Sequence, residues 1–185
     1  MSSFKFIFLL IVMTSINFSS DAQVIEIGPS GLSLFPMGTK LRNDLKSNLS
    51  DIDTSTPEGM LEYSNASNDA YDKGLIVKKL AEGKYRLKGV DDSLTSIYIG
   101  YNESEEIRQI TIECGPGDST QLKKMLLKVF GNPVVEGEGS IQGVTHESFI
   151  LSGAGFDISY SGLVNRARFY YPESLEAMLR RLNIE

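Results

Sequence analysis

The chain has one cysteine, one histidine, no surplus of positive charge and no second apolar run of membrane length. Each scarcity excludes something. Cys114 alone forms no internal disulfide, so apolar burial must stabilise the fold. A Ser-His-Asp or Cys-His site would have to pass through His146. That residue sits in Thr145-His146-Glu147-Ser148 with no nucleophile motif beside it. On a strand, His146 and Glu147 point to opposite faces. Zinc needs three or four converging ligands, and no spacing here supplies them. With 18 Lys and Arg against 24 Asp and Glu, the net charge is −6. This balance argues against general nucleic-acid binding and against adhesion to an anionic membrane. No motif asks for a cofactor.

What is present begins with a leader pattern. Lys5 precedes the apolar run Phe6 to Met13, and polar residues enter at Thr14, Ser15 and Asn17. A charged start, an apolar middle of roughly 7–15 residues and small residues before a cut define a secretory signal. Ser20 and Ala22 occupy the small positions, which predicts a signal peptide over 1–22 and a mature chain starting at Gln23. A spanning helix needs roughly 20 apolar residues, and this run breaks too early. The expected product is exported, periplasmic or extracellular, with no stable membrane insertion. It keeps 163 of the 185 residues, enough for one domain over 23–185 with its own core.

Hydrophobic periodicity divides that domain. Val24 to Ile27 reads as a first strand ended by Gly28-Pro29. Leu41, Leu45 and Leu49 fall at i, i+4 and i+8, which predicts a helix from Thr39 to about Ser50. Residues 51–74 are dominated by Ser, Thr, Asn and Asp with Pro57, Gly59 and Gly74, and read as a long polar loop. Alternation predicts strands around Tyr85 and Leu87, over Ile97 to Tyr101, and over Ile110 to Cys114. Asp118 and Gln121 form a capping box ahead of Leu122, Met125, Leu126 and Val129, which share one helical face. Gly131 and Pro133 stop that helix. Strands follow over Val144 to Leu151, Phe156 to Tyr160 and Leu163 to Tyr171, then a short C-terminal helix with Leu175, Met178, Leu179 and Leu182. The fold class is α+β: one meander-like antiparallel sheet of about five to seven strands, packed by one main amphipathic helix. Two stretches, Ile25 to Pro29 and Ile110 to Pro116, echo one another and hint at a duplicated strand–helix unit.

Several constellations invite chemistry and fall short of it. Asp51, Asp53, Ser55 and Glu62 fit four positions of a calcium loop, but Thr56 stands where that loop requires Gly. Gly137-Glu138-Gly139 and Gly153-Ala154-Gly155 read as hairpin turns or bulges and lack what a phosphate cradle needs. Cys114 shares a strand face with Ile110 and Ile112, which reads as a buried, inert thiol. Asn48-Leu49-Ser50, Asn65-Ala66-Ser67 and Asn102-Glu103-Ser104 match the glycosylation pattern, relevant only in a eukaryotic secretory route. Lys84, Arg86 and Lys88, preceded by Lys78 and Lys79, make the most localised basic patch and a possible partner surface.

The leading expectation is a non-enzymatic interaction module of the cell envelope or extracellular space. It would meet another protein through its sheet face or through residues 51–74. The alternative is a small-ligand binder with a pocket between sheet and helix, lined by Tyr85, Tyr98, Tyr101 or Phe156. A hydrolase using Asp91, Asp92, Glu105 or Glu106 would need two of these carboxyl groups to converge.

Overall fold

The computed structural model describes residues 22–67, 74–90, 95–115, 119–141 and 144–171. Residues 1–21 of the expected signal peptide, Asp91, Asp92, the expected cap at Asp118 and the expected C-terminal helix lie outside the described residues. The elements run β1 (Gln23–Ile25), β2 (Ile27–Gly28), β3 (Gly31–Leu32), β4 (Phe35–Pro36), α1 (Asn43–Lys46), β5 (Leu49–Ser50) and α2 (Pro57–Ala66). They continue with β6 (Ile76–Leu80), β7 (Tyr85–Leu87), β8 (Ser96–Tyr101), β9 (Ile107–Glu113) and α3 (Ser119–Phe130). The last four strands are β10 (Val135–Ile141), β11 (Val144–Ser152), β12 (Asp157–Ser161) and β13 (Arg166–Tyr170).

The molecule is α+β with a large antiparallel sheet and few helices. Eight strands form that sheet in the order β10-β11-β12-β13-β9-β8-β6-β5. The order resolves into two halves. One runs β5, β6, β8, β9, and the other runs β10 to β13, each as successive neighbours. They meet where β13 pairs antiparallel with β9, Phe169 opposite Ile110. Two small sheets flank the large one: β1 with β7, and β2-β3-β4.

Strand alternation gives the sheet two unlike faces. The first carries Ile97, Ile99, Ile110, Ile112, Ala167, Phe169, Ile158, Tyr160, Leu151 and Phe149, all buried in one cluster. α3 covers it with Leu122 and Leu126, both at 0% exposure. Phe130 at the end of α3 meets Phe156 and Phe169 edge-on, each at 6.1 Å between ring centroids. Gly131 takes φ +81° and its N–H donates to the Leu127 carbonyl at 2.9 Å, the left-handed stop the sequence indicated. The second face carries Tyr98, Gln109, Thr111 and Arg168 in its middle, with α2 lying against it.

Four expectations change. The helix from Thr39 to Ser50 shrinks to the four residues of α1, and Leu49 begins β5. The cause is pinning: Gly38 N–H donates to the Ile107 carbonyl at 2.8 Å and Leu41 N–H to the Glu105 carbonyl at 2.7 Å, so 38–41 is held to the β8–β9 turn. The 51–74 loop contains α2, a helix of 10 residues. Thr56 caps it by accepting from Gly59 N–H at 3.1 Å, and Pro57 fills the first turn. Gly137 and Gly139 lie within the edge strand β10 and form no turn. β7 is a strand as expected, but it pairs in parallel with β1 outside the large sheet.

Candidate functional site

The second face of the sheet is where chemistry collects. Pairing registers put its residues in rows. One row reads Ser148, Ser161, Arg166, Glu113, Ser96. The next reads Ile150, Ser159, Arg168, Thr111, Tyr98, Lys79. A third reads Ser152, Asp157, Tyr170, Gln109, Gly100, Val77. Serines, arginines and tyrosine replace the isoleucines of the first face.

α2 covers the part of this face over β8 and β9. Its last carbonyls have no partner within the helix, and α2 has no basic residue in its last turn. The sheet supplies both needs. Gln109 Nε2 donates to the Ala66 carbonyl at 2.6 Å and Thr111 Oγ1 donates to the same oxygen at 2.9 Å. Arg168 Nη2 donates to the carbonyls of Asn65 at 2.7 Å and Ser67 at 3.3 Å. A guanidinium there also suits the negative end of the helix dipole. Gln109 and Thr111 are buried, so these bonds satisfy groups that water cannot reach while α2 is in place.

The other side of α2 is tied by charge. Tyr98 OH donates to Glu62 Oε1 at 2.9 Å, and Lys79 Nζ reaches Glu62 at 3.0 Å and Glu82 at 2.8 Å. Burial pushes the Tyr98 phenol above the ordinary tyrosine range, and its bond to Glu62 adds to the rise. Burial alone would lower the Lys79 ammonium, but hydrogen bonds to Glu82 and Glu62 outweigh it and the net shift is upward. Apolar packing here is small: Ala66, Val77 and Tyr98 are buried, with Ile52, Tyr63 and Leu75 partly so. Met60 and Leu61 point outward, 61% and 64% exposed.

Beyond α2 the face continues over β11 to β13. Arg166 Nε donates to Glu113 Oε1 at 2.7 Å. Ser148, Ile150, Ser159, Ser161 and Tyr170 are half-buried. Among the described residues the apolar cluster of this face stops at Tyr98.

The residues singled out from sequence scatter. Arg86 stands exposed on β7, outside the large sheet, and Lys84 and Lys88 stand exposed just before and after that strand. Lys84 Nζ donates to Asn48 Oδ1 at 3.1 Å and Lys88 Nζ to Glu26 Oε1 at 2.8 Å. Asp51 pairs with Lys78, Asp53 Oδ1 accepts from Ser55 N–H at 3.0 Å, and Glu62 faces Tyr98, so the calcium pattern does not converge. Hydrogen bonds from Ser55 lower the Asp53 carboxyl. Glu105 pairs with Lys46 and Glu106 with Arg108. Cys114 is buried. His146 is half-buried, packed so closely over Gly139 that a side chain there would meet its ring. His146 Nδ1 is buried without a hydrogen-bond partner among the described residues.

The aromatic residues expected to line a pocket fall in two clusters, Tyr98 in one and Tyr85, Tyr101 and Phe156 in the other. Tyr98 faces α2, Phe156 packs in the main core, and the Tyr85 hydroxyl accepts from Asn48 Nδ2 at 2.7 Å. A cleft of about 350 Å³ does lie between α3 and the β10–β11 hairpin, lined by Lys123, Glu136, Gly137, Glu138, Glu147, Ser148 and Phe149. Lys123 and Glu147 form an ion pair within it. Among the described residues no group of three or more His, Cys, Asp or Glu side chains is placed to hold a metal, and no helix is long and apolar enough to cross a membrane.

No protein-family model matches the chain, and no curated protein matches it. Among solved structures it is similar to the crystal structure of a DUF4309 family protein (YjgB) from Bacillus subtilis subsp. subtilis str. 168. The two share 10% identity with a TM-score of 0.31, over 65% of this chain and 81% of that one.

Proposed function

We propose that the protein is an exported, non-enzymatic interaction module that meets another protein through the second face of its sheet. One observation carries this reading: strands β11 to β13 present rows of serines with Arg166 and Tyr170 on a face whose apolar cluster, among the described residues, ends at Tyr98. Arginine and tyrosine are enriched in interfaces, because both bury large area and keep polar handles. The test is capture of partners by mature Gln23–Glu185 from the envelope fraction of its own source, compared with two variants. The double variant Ser159→Arg/Ser161→Arg is expected to lose a captured protein that Lys124→Glu, on the solvent side of α3, retains. Equal capture by all three rejects the face. The basic patch of Lys84, Arg86 and Lys88 is the secondary surface, tested the same way by Arg86→Glu.

The cleft between α3 and the β10–β11 hairpin supports a second reading as a small-ligand site. Its lining is charged, so a polar or cationic ligand suits it better than an apolar one.

A further inference from the structure

We propose that α2 is a detachable cover, held over the sheet by polar contacts, whose release bares Tyr98, Gln109, Thr111 and Arg168 as the inner part of the binding face. The bonds that hold it are of a kind that water can replace. Three sheet side chains donate to the carbonyls of Asn65, Ala66 and Ser67, and Glu62 accepts from Tyr98 and pairs with Lys79. Net hydrogen bonds of this type each contribute little once exchange with water is counted. Among the described residues the apolar share is one small cluster, and Met60 and Leu61, which would anchor a permanent helix, face outward.

What lies beneath is also suited to exposure. A permanently covered sheet face is ordinarily apolar, as the first face is. Here the covered residues are polar and line up with Arg166 and Glu113 in the neighbouring row, so uncovering them extends a face that is already polar. The cover carries its own start: Thr56 caps Gly59, and Asp53 holds Ser55. With 10 residues, α2 is shorter than the roughly 12–15 that an isolated helix needs in water, so release and melting are one event. The opening itself does not depend on a partner; only its use rests on the reading above.

Native-state hydrogen exchange on mature Gln23–Glu185, read by NMR across urea concentrations below the unfolding transition, tests this. The amides of Met60 to Ser67 should converge on one opening whose urea dependence is shallower than that of global unfolding. Their protection should be at least about 100-fold below that of Leu126 on α3. Thr111→Val should speed α2 exchange about fivefold and leave α3 unchanged. Two results overturn the proposal in the unmodified protein: α2 amides that merge with α3 on the global isotherm, or α2 amides that exchange one by one with no urea dependence. Equal acceleration of both helices by Thr111→Val overturns it as well.

Discussion

α3 and α2 lie on opposite faces of one sheet and are held there by different forces. α3 buries Leu122 and Leu126 completely in a cluster rich in isoleucines and phenylalanines. α2 rests on Gln109, Thr111, Tyr98 and Arg168, and most of what it loses on leaving, water returns. Apolar burial contributes about 25 cal/mol per Å² and has no substitute in solvent. Polar contacts specify position more than they stabilise. One sheet can therefore have a face that defines the fold and a face that can be edited without losing it.

The comparison is sharpest where the core is cut. Leu126→Ala should cost about 3 kcal/mol, because it removes the packing of the Leu carbons beyond Cβ from a fully buried site and leaves a cavity. Urea unfolding is the measurement, and the whole sheet should lose stability together. Gly59→Ala comes next. A Cβ at Gly59 would collide with the backbone carbonyl of Asp53, which no side-chain movement relieves. The expected cost is about 2 kcal/mol, capped by what α2's attachment is worth. Exchange protection should fall in α2 and stay in α3; a loss spread evenly over both would break the comparison.

Tyr98→Phe is the smallest change, about 1 kcal/mol through the lost bond to Glu62. It also has a pH signature. Tyr98 and Lys79 both titrate above their ordinary values in the folded state, so their contribution is intact below the unfolded values of 10.0 and 10.5. It is lost as pH rises through the folded values. The native protein should lose stability above about pH 10, and Tyr98→Phe should flatten part of that fall. Thermal melts between neutral and strongly alkaline pH measure it. An identical alkaline slope in both proteins would remove Tyr98 from the account.

How much of this was legible in the sequence depends on how local each signal is. α3 was readable because its apolar period and its Gly131 stop agree. α2 was hidden by the residues that start it: Pro57 and Gly59 look like breaks, yet Pro57 sits at the first turn and Gly59 lets the backbone pass Asp53. The reverse holds at Leu41, Leu45 and Leu49, whose helical spacing loses to pinning by the distant turn at Glu105. β10 gave no alternating signal, because Glu136, Gly137, Glu138 and Gly139 offer no apolar side chain. The candidate face was half visible. Strand alternation puts Gln109 and Thr111 on the face away from Ile110 and Ile112, but nothing local says a helix end 43 to 45 residues away completes their bonding. Arg168 bonds across 103 residues to Asn65, beyond the reach of any pattern along the chain.

The joint between β9 and β13 has a consequence for assembly. Every other pairing in the eight-stranded sheet links strands that follow one another within the same half. The joint alone brings Glu113 to Arg166, 53 residues apart. Local meanders close short loops and form early, whereas a distant pairing waits for them. The β9–β13 ladder is thus the zipper that fuses two independently laid ribbons. Damage along it divides the protein in two, where damage at β10 or β5 only frays a margin.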